Sequence, residues 1–198
     1  MSPEAVRISK DAQVLRFFAS KRGRIDATAH LKLAYLADLC AREYLGRPIT
    51  GFSYRWHNHG PFDSAFYSAR EELVTQGLAQ EHTTTYPGVD YTGRTLVNLP
   101  GRVKSDLTAG ERMVLEYVNT HYGDLPLDGL LKIVYETEPM QMVEKRGQRL
   151  PMDEVNDRGR EDLGFDLDEL ASAQERVRAG EYLTLNELVG ELRSTVRL

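Results

Sequence analysis

The sequence predicts a mainly α-helical fold: a compact multi-helix domain with a small β-strand and hairpin element. Apolar residues recur at intervals of three and four over several long segments, which is the spacing of an amphipathic helix. Residues 79–97 differ, because β-branched and aromatic residues there surround the turn dipeptide Pro87-Gly88, as in a β-hairpin. The 198 residues, 41% of them hydrophobic and 28% charged, are typical of a folded globular chain.

The first half of the chain contains three predicted helices and one strand. Asp26 can cap the second helix by accepting a hydrogen bond from its first turn, and Gly46 can adopt the left-handed conformation that ends it. We predict helices over 11–22, 27–45 and 63–76, and an aromatic strand over 52–56. The second helix is expected to bury one face, formed by Leu33, Leu36, Ala37, Cys40 and Tyr44.

Trp56, the single tryptophan, is predicted to anchor the junction between the second and third helices in the core. Gly60-Pro61 follows it and is expected to reverse the backbone and start the third helix. The surrounding aromatic residues are expected to be core as well.

The second half begins with the hairpin and continues with helices. Thr108 and Glu111 have the spacing of a capping box, which predicts a helix reaching Tyr122. Another helix is expected to start near Asp124 and to bend or end at Pro139.

A C-terminal extension, 148–198, is predicted to be a separate unit from the domain formed by 1–147. It carries seven basic and twelve acidic residues, whereas the rest of the chain is balanced in charge. We predict a linker over 147–164, a helix from Asp166, and a capped last helix with one apolar stripe. That stripe is a candidate partner-binding surface and contains Leu185, Leu188 and Leu192.

Several function classes find little support in the composition. A charge-balanced body argues against direct nucleic-acid binding, because the affinity of such binding comes largely from neutralising phosphates. No apolar run approaches the length of a membrane span, and the N-terminus lacks the apolar core of a signal peptide. We therefore expect no membrane partner. The single cysteine, Cys40, cannot form a disulfide within the chain, so we also expect a reducing, cytoplasmic setting.

No residue pattern predicts catalysis, a cofactor or a metal. His57 and His59 are the only closely spaced histidines, but a metal site would need further ligands, and a hydrogen-bonded turn is the simpler interpretation. Nucleotide-binding glycine motifs and nucleophile motifs are missing from the sequence. We therefore expect a binding protein rather than an enzyme. Arg47, Arg55 and His57 form its candidate recognition surface on the body.

A winged helix is an alternative, because a helix followed by a hairpin is typical of that fold. The third helix would then read DNA, but it offers one cation, Arg70, against the acidic residues Asp63, Glu71 and Glu72. The same hairpin could simply cover the helical core.

The stretch from 33 to 67 resembles the core of the Panacea domain, the SocA-like antitoxin domain. Lys-Leu-x-Tyr, Gly-Arg-Pro, an aromatic strand and Gly-Pro follow one another in the expected order, and the resemblance extends over about 10–145. Where the family often has Pro-Trp, this chain has Pro139-Met140. The signature residues are Tyr35, Gly46, Pro48, Trp56, Gly60, Pro61 and Tyr67.

This resemblance implies an antitoxin that neutralises a cognate protein toxin by direct contact. The toxin itself cannot be named, although an acidic extension suits the basic active site of one that acts on RNA or nucleotides. A winged-helix-like transcriptional regulator and a proteolytic adaptor, which hands a bound partner to a protease, are the alternatives.

Overall fold

The computed structural model describes residues 5–85, 88 and 92–154. Its helices and strands agree with a mainly α-helical fold that also contains antiparallel strands. The helices are α1 (Lys10–Arg22), α2 (Ala27–Leu45), α3 (Ala65–Thr75), α4 (Ala109–Tyr122), α5 (Leu127–Glu136) and α6 (Glu138–Gln141). The strands are β1 (Arg24–Asp26), β2 (Arg55–His57), β3 (Gly60–Phe62), β4 (Ala79–Thr85) and β5 (Thr92–Asn98).

Helix α2 is the central element of the core. Asp26 caps it by accepting a hydrogen bond from the Thr28 N–H (2.8 Å), and Gly46 ends it with φ 71°, both as predicted. The expected single buried face is wrong in part: every residue over 30–38 is buried, whereas Cys40 and Tyr44 are half-buried. Neighbouring elements therefore cover α2 on several sides, and polar residues of this run must find partners inside the protein.

The aromatic strand predicted over 52–56 is displaced. The strand is β2, and it pairs antiparallel with β3, so that Arg55 lies opposite Phe62 and His57 opposite Gly60. Gly60, with φ 86°, permits the tight turn between them. Phe52 and Tyr54 lie before the strand and are both buried, and the Tyr54 hydroxyl donates a hydrogen bond to Asp38 (2.8 Å).

Gly60-Pro61 thus belongs to a hairpin and does not start the third helix, as the sequence had suggested. Helix α3 begins at Ala65, after Asp63 has accepted a hydrogen bond from the Ala65 N–H (2.9 Å). Trp56 packs against the core, as expected of an anchor, but it is half-buried and lies at the edge of the core.

A three-stranded antiparallel sheet has the order β1-β5-β4. The predicted hairpin over 79–97 is confirmed as β4 and β5, and Ile25 of the unpredicted strand β1 pairs with Leu96. The chain order α1-β1-α2-α3-β4-β5, with β5 between the other two strands, is that of a winged helix. The β2-β3 hairpin is inserted between α2 and α3.

Helix α4 forms as its local sequence predicts, whereas α5 begins at Leu127, three residues after the expected start at Asp124. Thr108 and Glu111 make both bonds of a capping box at the start of α4. Helix α5 ends at Glu136, and Pro139 lies in the first turn of α6, where its missing N–H costs nothing.

The start of the extension lies against the domain body. Leu150 is buried, and its N–H bonds the Tyr54 carbonyl (2.9 Å). The two helices predicted beyond residue 164, with the stripe of Leu185, Leu188 and Leu192, lie outside the described residues, and the unit boundary at 147/148 stays a prediction. Within the described ranges, no helix is long and apolar enough to cross a membrane.

Candidate functional site

A groove of about 310 Å³ opens between the start of α2, the β2-β3 hairpin, α3 and the start of β5. Its polar lining is basic or neutral, and no acidic residue of the described chain belongs to it. The lining residues are Ala27, Thr28, Leu31, Lys32, His57, Asn58, His59, Gly60, Phe62, Phe66, Tyr67, Thr92 and Arg94.

Lys32 is the most unusual residue of this groove, because it is 2% exposed. Its ammonium group donates one hydrogen bond, to the Pro61 carbonyl (2.7 Å), and has no carboxylate partner among the described residues. Burial lowers the pKa of Lys32 to about 7. An ammonium group has three donors, so a protonated Lys32 has two donors left after its bond to Pro61.

The outer part of the groove combines one more cation with aromatic rings. The Arg94 guanidinium lies 5.1 Å from the centre of the Tyr67 ring, a cation–π contact, and only weakly approaches Glu81 (3.8 Å). The His57 ring lies 5.0 Å from that of Phe62. Tyr67 is 39% exposed, so the groove presents both charge and an aromatic face to a ligand.

The histidine pair does not form a metal site by itself. His57 ends β2 and His59 lies in the turn. No group of three or more potential ligands that could hold a metal occurs in the described part of the chain. Cys40 also lacks the features of a reactive thiol, since burial, and then nearby Glu43, raises its pKa to about 12.

Asp38 organises the loop that follows α2. Its buried carboxylate accepts hydrogen bonds from the N–H groups of Ile49 (2.9 Å) and Thr50 (2.8 Å). The hydroxyl groups of Thr50 and Tyr54 donate to it as well. Burial raises the pKa of Asp38, and these four bonds partly offset that effect. This carboxylate therefore fixes the loop after Gly46 against α2.

Several residues of the family signature connect α2 to distant elements. Tyr35 shares a hydrogen bond with the Thr137 hydroxyl (2.8 Å), just after α5, and Lys32 bonds the Pro61 carbonyl of the hairpin. A methyl group at Gly60 would lie 3.5 Å from Val134 of α5, so the hairpin passes close to that helix. These contacts join α2, the hairpin and α5. Two of the residues that make them, Lys32 and Gly60, also line the groove.

Of the three candidate recognition residues on the body, His57 alone lines the groove. Arg47 pairs with the buried Glu111 (2.9 Å), which Lys10 also contacts (2.6 Å). Arg55 donates to the Gly147 carbonyl (3.2 Å). Both arginines remain exposed, so their role in partner binding stays a prediction.

Helix α3, which would read DNA in the winged-helix alternative, does not present its arginine to solvent. Arg70 is 1% exposed, donates to Glu81 (3.0 Å), and contacts His30 (3.0 Å). Since arginine only donates, His30 Nδ1 must accept, and its Nε2–H donates to the Leu15 carbonyl (2.8 Å). The one cation of α3 is therefore a core residue and is not available to a phosphate.

The family model described as "Antitoxin SocA-like, Panacea domain" matches residues 31–139. The chain belongs to this family. The matched region spans α2, the hairpin, the sheet strands β4 and β5, and α4 to α5, and so includes most of the groove. No curated protein and no solved structure matches the chain.

Sequence reasoning found the Panacea signature but missed three residues that matter in the folded protein: Lys32, Asp38 and Arg94. For the first two a signal was present. Lys32 lies four residues before Leu36, and Asp38 four after Ala34, so each places a charge within a helical face that is otherwise apolar. Arg94 gave no such signal, because an arginine on a hairpin is ordinary.

Proposed function

We propose that this Panacea-domain protein is the antitoxin of a toxin–antitoxin pair and neutralises its cognate toxin by direct protein–protein binding. Membership of the SocA-like antitoxin family across residues 31–139 carries this proposal. The groove adds support, because it gives the domain a concave surface with both charged and aromatic groups, which suits recognition.

The proposed partner is a protein, and the proposed mode of action is binding rather than catalysis. A toxin that acts on RNA or nucleotides has a basic active site, and the acidic residues over 148–198 would complement it. The proposed setting is cytoplasmic, where such a toxin finds its target.

Co-expression with the products of adjacent genes tests the proposal. We expect one of them to arrest growth when expressed alone, to lose toxicity beside this protein, and to co-purify with it in a fixed ratio. Growth that stays arrested despite abundant folded antitoxin would contradict neutralisation. Disappearance of the toxin from cells, reversed in a protease-deficient strain, would identify the protein as a proteolytic adaptor instead.

A transcriptional regulator is the second candidate, because the helix and strand order is that of a winged helix. The surface of α3 argues against it: Arg70 is buried, whereas Glu71 on the same helix is exposed. A salt-dependent mobility shift on the protein's own promoter would favour the regulator, and we expect none at physiological salt.

A further inference from the structure

The groove beside α2 contains a buried lysine that no acidic residue of the described chain neutralises. Buried cations are normally paired, because removing an ammonium group from water costs several kcal/mol. Here Lys32 is 2% exposed, and its one hydrogen bond goes to a neutral carbonyl oxygen at 2.7 Å. Two donors of the ammonium group remain without a partner in the described structure. The site is therefore preorganised for a negative charge that comes from outside this part of the chain.

Further donors surround the same space. The Arg94 side chain is 49% exposed at the edge of the groove and lies 3.8 Å from Glu81, which is outside the lining; Thr28 and Thr92 also line the groove. His57 and His59 are the remaining titratable residues of the lining. This many donors, with no competing carboxylate among the described lining residues, suits a phosphate group, which has several acceptor oxygens and up to two charges.

The apolar part of the lining indicates what the phosphate is attached to. The ring centres of Phe62 and Tyr67 lie 6.0 Å apart, and the partly exposed Tyr67 ring lies beside the Arg94 guanidinium. Exposed aromatic rings next to cations are the usual platforms for nucleic-acid bases. A volume of about 310 Å³ is at the small end of the range for small-molecule sites, which fits one nucleotide better than a longer oligonucleotide.

We propose that this groove binds a nucleoside monophosphate or a similar phosphorylated aromatic metabolite, with Lys32 holding the phosphate and Arg94 closing over it. Lys32 and Arg94 are binding residues here, and Tyr67 supplies the stacking surface. The lowered pKa of Lys32 agrees with this role, because a bound phosphate would restore the charged form. The inference goes beyond toxin neutralisation: it assigns a small-molecule site that could link antitoxin function to nucleotide levels.

Isothermal titration calorimetry of the full chain with adenosine 5′-monophosphate tests this assignment. The comparison ligands are inorganic phosphate, adenosine and benzoate, which separate the contributions of phosphate, base and a carboxylate on an aromatic ring. We expect the nucleotide to bind most tightly, phosphate more weakly, and adenosine and benzoate at least tenfold more weakly than the nucleotide. Adenosine or benzoate binding as tightly as the nucleotide would overturn the proposal, as would a failure of the nucleotide to bind at millimolar concentration.

Two variants and one control locate the binding. Lys32→Met keeps most of the buried stem but removes the charge, and should weaken nucleotide binding about tenfold or more, as expected for a lost charged hydrogen bond. Arg94→Gln changes an exposed residue and should weaken it several-fold without affecting folding. Arg102→Gln removes an exposed cation outside the groove and should leave binding unchanged. If Lys32→Met and Arg94→Gln both bind the nucleotide with wild-type affinity, the nucleotide binds elsewhere and the assignment is refuted.

Discussion

Individual polar residues inside the core are each held by a specific partner. His30, Asp38 and Arg70 are at most 1% exposed, and each makes at least two hydrogen bonds. Such groups are costly when a partner is lost or when their charge changes, because water cannot replace the missing bond. At this scale the stability of the protein depends on protonation as well as on packing.

His30 should make the protein sensitive to mild acid. Burial, and then the Arg70 charge, lowers its pKa to about 3 from the ordinary 6.5. Below pH 6.5 the His30 imidazole binds a proton in the unfolded chain but not in the folded protein. The free energy of unfolding therefore falls as the pH falls from 6.5 toward 3. Between pH 7.5 and 5.5 we expect this residue to cost about 1.4 kcal/mol of unfolding free energy.

Urea unfolding of wild type and His30→Gln at both pH values checks this expectation. Glutamine can still donate toward the Leu15 carbonyl and accept from Arg70, but it does not titrate. The drop in stability between pH 7.5 and 5.5 should therefore be about 1.4 kcal/mol smaller in the variant. Identical drops would show that His30 keeps its ordinary proton affinity in the folded protein.

At the scale of elements, one carboxylate attaches the loop after α2 to the helix. The Asp38 carboxylate accepts hydrogen bonds from two backbone N–H groups and two hydroxyl groups of that loop. The loop leads directly into β2, which carries His57 to the groove. The position of the hairpin thus depends on a residue two helical turns from the end of α2.

Asp38→Asn should destabilise the protein by about 2–4 kcal/mol, because the amide turns one acceptor into a donor that faces other donors. Asp11→Asn is the matched control: Asp11 also accepts a loop N–H, from Gly51 (2.9 Å), but is only half-buried. We expect it to cost about 1 kcal/mol or less. Chemical denaturation measures both, and equal costs would mean that the buried network is not what secures the loop.

At the scale of the whole molecule, charge is unevenly distributed along the chain. The residues over 1–147 are balanced, whereas those over 148–198 have five more acidic than basic residues. The groove in the body is nevertheless basic in its lining. The two regions therefore suit partners of opposite charge, and their contributions to toxin binding can be separated experimentally.

A chain ending at Gly164 tests the contribution of the last helices predicted from the sequence. If residues 165–198 contact the toxin, the shortened protein should stay folded, with a melting temperature close to that of wild type, but bind the co-purified toxin at least tenfold more weakly. Full neutralisation by the shortened chain would show that the contact lies in the Panacea domain alone. Arg47→Ala and Arg55→Ala in the full chain then test the candidate surface on the body.

The features that the sequence predicted correctly are local. The caps of α2 and α4, the stop at Gly46 and the β4-β5 hairpin depend on residues a few positions apart, so their patterns were sufficient. The family could also be inferred, because its signature is a run of such patterns in a fixed order.

Features that depend on contacts between distant residues could be seen only in the folded protein. Strand β1 exists because it pairs with β5, about seventy residues away, and Arg55 is in a strand because Phe62 lies opposite it. The groove likewise required α2, the hairpin, α3 and β5 to meet, and their meeting buried Lys32 and Arg70. Short-range periodicity carries no information about which elements pack together. The sequence could therefore show that Lys32 lies within an apolar helical face, but not which elements bury it.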